Sequence, residues 1–248
     1  MNETLSILRN HRSVRQFTDT PLTEEEILTL VEAAQSASTS SFIQAYSIIG
    51  VKNRDTKKEL ARLAGGQDYV LENGHFFIFC ADLHRHTVAA EMEDVSISDT
   101  ISTTEKFIVA TVDASLAAQN ASIAAESLGL GICYIGGLRN NIEAVSELLQ
   151  LPDHVIPLYG LAVGHPAGET AIKPRLPVPA VYMEETYAND KDAKVRLTAY
   201  NETISDYYKE RTGGKRNDSW TSQMTNMLAT PSRLHMKEFV QGKGMMKS

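Results

Sequence analysis

HRSVRQF, residues 11–17, sets two arginines and a histidine within five positions of a chain whose formal net charge is -7. The guanidinium of arginine is planar, stays charged at neutral pH and makes two parallel hydrogen bonds to a phosphate. Such a cluster in an acidic chain is local positive charge aimed at a small anion. Taken singly it also fits a solvated helix end, where cations are favoured by the dipole. Three other stretches carry matching chemistry. GGQDY, residues 65–69, offers a side-chain amide at Gln67. YIGG, residues 134–137, puts two glycines after an apolar run, where a backbone can approach a flat ligand closely. KPR, residues 173–175, displays two cations from a proline-stiffened segment. Arg12, Ser13 and Arg15 with Lys173 and Arg175 suit a phosphate together with the polar edge of a ring. Hydrogen bonds to charged groups contribute about 1.5–3 kcal/mol each, so two or three of them support micromolar or tighter binding.

Other chemistries do not find their residues. SLGLGICY carries Gly129 and Gly131 but has Tyr134 where the dinucleotide fingerprint needs its third glycine, and the strand lies after the glycines instead of before them. TGGKRND has the wrong spacing for a phosphate-binding P-loop, and no G-x-S-x-G elbow presents a nucleophilic serine. His84 and His86 could share one face of a strand, but they sit in a polar stretch with no further metal ligands nearby. Cys80 and Cys133 lie inside apolar runs and read as small buried hydrophobes; nothing requires a disulfide. With no side-chain nucleophile paired to a base, the hard chemistry of an enzyme of this sequence belongs to a cofactor.

These residues need a scaffold. A chain of 248 residues, 42% apolar and 22% charged, has the composition of a soluble globular protein. Its acidic balance argues against nucleic acid as a general partner. The N-terminal MNETLSILRNHRS has no apolar signal region, and the longest unbroken apolar run, Phe76 to Ala81, is too short to span a membrane. A cytoplasmic enzyme or binding protein is the class expected.

Residues 3–9 predict a short helix ending at Asn10. Thr23 and Glu26 form a capping box, with Leu22 and Ile27 as its hydrophobic staple, so residues 24–36 predict an amphipathic helix. The hydroxyl-rich SASTSS, 36–41, reads as a loop. Strands are expected at 46–51, 75–81, 132–136 and 155–164, and a helix at 54–64 before Gly65 and Gly66. Residues 84–99 read as a mobile loop or lid. A long helix over about 100–128 is small or apolar on every face and so belongs in the interior, with Gly129 ending it. NNIEAVSELLQ predicts a helix capped by Asn140 or Asn141. KPRLPVP, 173–179, must be extended. Past residue 183 the chain turns polar, with narrow stripes such as Leu197, Tyr200, Ile204 and Tyr207, or Trp220, Met224 and Leu228. One-sided helices of this kind fold back on the body or wrap a second subunit.

HRSVRQFTD, STSSFIQAYSIIG, GGQ, FFIFCAD, AAQNASIAAESLGLGICYIGGLRNNIEAV, KPRLP and WTSQM occur in this order, and together they make nearly the whole chain resemble the nitroreductase and flavin reductase family, in its oxygen-insensitive, NADPH-dependent branch. The resemblance implies an α+β fold: a central, mainly antiparallel sheet flanked by helices, in an intertwined homodimer. It implies one nitroreductase-like domain over 1–248, with 183–248 a helical extension around the partner subunit. It implies non-covalent FMN in a groove between subunits. His11, Arg12, Ser13 and Arg15 would hold the phosphate and neighbouring atoms, and Thr39 or Ser40 would reach it from the partner. Gln67 and Tyr69 would line the cofactor, with Asp68 beside them. Tyr134, Ile135, Gly136 and Gly137 would pass over the ring system and supply backbone donors. Lys173 and Arg175 would sit by the ring edge or phosphate, where positive charge stabilises added electrons. In KERTGGKRND, Arg211, Lys215 and Arg216 would meet the 2′-phosphate of NADPH, in a loop made mobile by its glycines. The implied activity is two-electron transfer from NADPH through FMN to a nitroaromatic, a quinone or free flavin. A disulfide, azo compound, chromate or oxygen as acceptor, or a non-catalytic nucleotide binder, are the alternatives.

Overall fold

The computed structural model describes residues 2–248 and divides them into two compact units, one of residues 2–170 with 233–248, the other of residues 171–232. In chain order the first unit contains α1 (Glu3–Arg9), α2 (Glu24–Gln35), β1 (Tyr46–Val51), α3 (Arg54–Leu63), α4 (Asp68–Leu71), β2 (His75–Asp82), α5 (His84–Met92), α6 (Ser98–Ile101), α7 (Thr104–Ser127), β3 (Gly131–Ile135), α8 (Ile142–Leu148) and β4 (Val155–Gly164). The second unit contains α9 (Asp190–Arg211) and α10 (Trp220–Leu228), after which α11 (Met236–Gly242) returns to the first.

The four strands form one antiparallel sheet in the order β1-β2-β4-β3, which leaves β3 at an edge. All eight residues of β2 are buried, so its side chains alternate between two cores. Phe77, Phe79 and Ala81 join Ile132, Ile156, Leu161 and the small-residue face of α7 in one cluster. Phe76, Ile78 and Cys80 join Leu60, Leu63, Leu138 and Val145 from the opposite helical layer in the other. Both cysteines are free and buried, and burial raises both thiols above the ordinary range.

The capping box of α2 forms as its sequence requires: Thr23 Oγ1 accepts from Glu26 N at 3.2 Å while Glu26 Oε2 accepts from Thr23 N at 2.7 Å. Three local expectations are corrected. Residues 84–99 are not a loop but hold α5 and α6, because Asp82 Oδ1 at the end of β2 accepts from the backbone N of His84 and starts the helix. His84 and His86 therefore lie on a helix; His86 Nε2 bonds to Ile43 O at 2.8 Å, and no metal-binding group exists among the described residues. Asn141 occupies the N-cap position of α8 but makes no side-chain capping bond; the amides of both asparagines reach the C-terminal end of α3 instead, Asn141 donating to Leu63 O at 2.8 Å and Asn140 to Ala64 O at 3.4 Å.

The long helix α7 is, by length and composition alone, apolar enough to cross a membrane. Its alanine face is committed to the sheet, with Ala110, Ala114, Ala117 and Ala118 fully buried. The other face is open: Ile108, Val112 and Leu116, one helical turn apart, are 51%, 48% and 44% exposed. On α9 the buried stripe runs through Tyr200, Ile204 and Tyr208, not Tyr207, and packs with Leu176 and Trp220.

Candidate active site

Segment 11–17 lies along the free edge of β3. Val14 N donates to Ile132 O at 2.9 Å, and Ser13 pairs with Ile132 as a parallel bridge. Gly131 permits this approach, since a Cβ there would stand 2.7 Å from Val14 Cγ2. Alternate residues of an extended segment face opposite ways. Val14 and Arg12 line one side, a cavity of about 270 Å³ that also holds Glu126. Ser13 and Arg15 belong to the other side, where the Arg15 guanidinium carbon stands 6.0 Å from the centroid of the Tyr69 ring. His11 is engaged at the segment's start, its Nδ1 2.8 Å from Glu126 Oε1 of α7. Arg12 donates to Asn10 O at 3.1 Å. Among the described residues, neither Arg12 nor Arg15 has a carboxylate within ion-pair reach. Arg15, without an acid in an acidic chain, is a donor of the kind a phosphate requires; Arg12 faces the opposite side of the segment and is not brought together with it.

Beside Arg15, the chain leaves α3 through Gly65 and Gly66, both in the left-handed region at φ 93° and 73°. The turn delivers Gln67, whose Nε2 donates to Ala64 O at 2.7 Å and whose Oε1 accepts from Tyr69 Oη. Gly137 closes over this pair: a Cβ on it would stand 2.4 Å from Gln67 Nε2 and 2.5 Å from the Ala64 carbonyl oxygen. The structure thus brings Arg15, Gln67, Tyr69 and Gly137 together, with Asp68 exposed at the start of α4 and Ser13 placed by its bridge to Ile132. Ile135 is buried and offers only its backbone, while Gly136 is half-buried next to Arg139. Tyr134 faces α7, where its hydroxyl lies 2.9 Å from Ser122 Oγ and burial pushes its pKa up to about 12.

Thr39 and Ser40 are elsewhere. Their loop is pinned to the middle of α7 by Asp113, a fully buried carboxylate that accepts from Ser40 N and from Ala45 N, each at 3.0 Å. Glu126, which holds His11, lies thirteen residues further along α7, about 20 Å at the helical rise. Within one chain the hydroxyl loop and the cation cluster are therefore apart. Between its two anchors the loop carries Ser41, Phe42 and Gln44 at φ 48°, 60° and 52°, and Phe42 projects 82% exposed. Backbone held in this region by non-glycine residues is a local strain that the surrounding bonds must maintain. Sequence reading missed Asp113, although a lone acid amid alanines of a core helix signals a buried partner.

In the second unit, Lys173 and Arg175 are exposed on the proline-rich segment, and Tyr200 Oη donates to Pro174 O at 2.9 Å. The ammonium of Lys173 lies 5.5 Å from the Tyr208 ring centroid, and Arg211 and Arg216 lie against the Tyr207 and Tyr208 rings. Lys215 is exposed in the same loop. Two larger cavities of the first unit, about 830 and 770 Å³, are lined by α8, α11 and the α5–α6 region and contain none of the residues singled out for chemistry.

The architecture is one antiparallel sheet packed between two helical layers, with the N-terminal segment bonded to its free edge. Residues 8–165 match the nitroreductase family and residues 173–248 match its C-terminal domain, so the chain belongs to the nitroreductase family. It is 56% identical over 249 residues, the full length of both chains, to the FMN reductase (NADPH) of Bacillus subtilis. Among solved structures it superposes on NfrA1 of B. megaterium with a TM-score of 0.98 at 62% identity, covering 99% of this chain and 100% of that one. The NADPH:FMN oxidoreductase of Vibrio harveyi follows at a TM-score of 0.89 and 37% identity, with both chains fully covered.

Proposed function

We propose that this NADPH-dependent oxidoreductase holds FMN non-covalently and alternates between two substrates at one site, NADPH first and then a nitroaromatic, a quinone or free flavin. FMN, when bound, supplies the two-electron chemistry for which the chain's own side chains have no equivalent. Ser13 and Arg15 take its phosphate, and Gln67 and Tyr69 line it under the Gly136–Gly137 backbone. In the second unit, Arg216, with Arg211 and Lys215, receives the 2′-phosphate of NADPH, and Lys173 and Arg175 are further exposed cations of that unit. The observation that carries this reading is the acid-free Arg15 beside the Gln67–Tyr69 pair, in a chain so similar to an FMN reductase (NADPH).

We further infer a homodimer. The open stripe Ile108, Val112 and Leu116 is an apolar surface of the kind that a partner covers. Thr39 and Ser40, remote from the cations of their own chain, would then serve the cofactor of the other. Of the extension expected over 183–248, residues 183–232, which lie in the second unit, would embrace the partner, while 233–248 belong to the first unit. Sedimentation velocity of the holoprotein tests the dimer, and a single monomeric species refutes it.

Anaerobic titration tests the activity. The purified protein should be yellow, bleach with one equivalent of NADPH per site, and regain colour on addition of a nitroaromatic, a quinone or free flavin. Failure to bleach leaves a nucleotide binder. Bleaching followed by reoxidation only with a disulfide, an azo compound, chromate or oxygen reassigns the acceptor.

A further inference from the structure

Arg216 is not free in its loop. Its guanidinium carbon stands 4.3 Å from the centroid of the Tyr208 ring, itself buried on α9. Its backbone N donates to Thr212 Oγ1 at 2.9 Å, Thr212 Oγ1 donates to Tyr208 O at 2.6 Å, and Ser205 Oγ donates to Asn217 O at 3.0 Å. Gly213 and Gly214, at φ 58° and 82°, let the chain double back so that Gly214 N reaches Lys209 O at 2.7 Å. The loop is thus bonded to its own helix, more closely tied than its glycines alone imply. Within it, Arg216 Nε donates to Asp218 Oδ2 at 2.8 Å, with side chains 50% and 44% exposed. Among the described residues, Lys173, Arg211 and Lys215 have no carboxylate within ion-pair reach. Of the cations assigned to the 2′-phosphate, Arg216 alone already holds an anion.

That anion has a consequence for selectivity. A phosphate arriving at Arg216 meets a guanidinium whose charge is offset by a carboxylate on its Nε edge, and the two anions repel. NADH brings only a neutral 2′-hydroxyl to this position and feels no such repulsion. We propose that Asp218 sets the margin by which this chain prefers NADPH to NADH, by competing with the 2′-phosphate for Arg216. The proposal rests on the assignment of Arg216 to the 2′-phosphate. It concerns a second residue, one that lowers the preference the cations create. Specificity of this kind is a difference of affinities tuned by a repulsive element as well as an attractive one.

Two probes that differ only in the 2′-phosphate, 2′,5′-ADP and 5′-AMP, measure the effect as competitive inhibitors of the holoenzyme. Asp218→Asn keeps the side-chain shape and removes the charge. It should tighten 2′,5′-ADP by about 1.5- to 5-fold, the scale of an exposed ion pair, and leave 5′-AMP unchanged. KM for NADPH should fall in step at constant kcat. In an Arg216→Ala background the same substitution should gain clearly less, since only the direct repulsion between the two anions is then left to relieve. No gain, an equal gain for both probes, or a gain undiminished without Arg216 overturns the proposal. Arg216→Ala by itself tests the reading beneath. If 2′,5′-ADP keeps its whole advantage over 5′-AMP, Arg216 is not the phosphate ligand. If the advantage is lost while Asp218→Asn is silent, the assignment of Arg216 stands and the role of Asp218 is refuted.

Discussion

Replacing Gly137 by alanine adds one methyl group where β3 leaves the sheet. The backbone there is not in the left-handed region, so the requirement for glycine is one of space alone. The new Cβ would lie 2.4 Å from Gln67 Nε2 and 2.5 Å from Ala64 O, against an ordinary contact of 3.4 Å or more. Gln67 can swing aside, but the Ala64 carbonyl is backbone at the end of α3 and already accepts from both Gln67 and Asn140. The two segments must part by about 1 Å, the kind of overpacking that costs about 1–3 kcal/mol. Loss of the Gln67–Ala64 bond adds about 0.5–1.5 kcal/mol. The variant should therefore lose about 2–4 kcal/mol of stability, read in urea as a lower midpoint at unchanged slope. Displacing Gln67 also removes the acceptor of Tyr69 Oη, so FMN retention should fall with stability. A loss below about 0.5 kcal/mol with undiminished FMN binding would refute the grouping of Gln67, Tyr69 and Gly137.

Arg15→Ala should purify largely without FMN, with affinity reduced about 10- to 150-fold, and regain activity when FMN is added; a fully loaded variant refutes the phosphate role. Asp113→Ala leaves Ser40 N and Ala45 N without their acceptor, which should cost about 2–5 kcal/mol in thermal unfolding and speed chymotryptic cleavage at Phe42. Unchanged melting and cleavage would show that the loop holds itself. His75 is 2% exposed with Nε2 unbonded, and burial, together with the nearby Lys57, lowers its pKa from 6.5 to about 4. Folding stability is complete above pH 6.5 and should fall by on the order of 3 kcal/mol as pH drops toward 4, because the unfolded chain takes up a proton that the folded one refuses. In His75→Gln this part of the acid dependence should disappear; an unaltered pH profile of unfolding refutes the assignment.

How much of this was legible follows the range of each interaction. The capping box at Thr23 and Glu26 and the β-branched and aromatic run of β2 are local patterns, and both appear where the sequence puts them. α5 was missed because its first turn is secured by Asp82, the last residue of a strand, while its own residues carry almost no apolar period. Asn140 and Asn141 have the chemistry of caps, but the same amide serves equally well for a tertiary bond, and here it reaches back to α3 across more than seventy residues. In HRSVR the residue types announced an anion site. Which arginine faces Tyr69 and which faces the Glu126 cavity depended on the segment being extended along β3.

The sequence by itself carried the signs of this protein's chemical class: guanidinium groups clustered near the N-terminus of an acidic chain, glycines after an apolar strand, and the ordered motifs that resemble the nitroreductase family. Those are properties of residue type and spacing, which the unfolded chain already possesses. The tertiary structure alone decided which of these residues meet. Gln67 reaches Gly137, His11 reaches Glu126 and Ser40 reaches Asp113 only because a four-stranded sheet brings distant segments together. Bonds over such separations leave no periodicity in the chain. They are fixed by packing, where a buried carboxylate or amide must find its partner or forfeit the free energy of its burial.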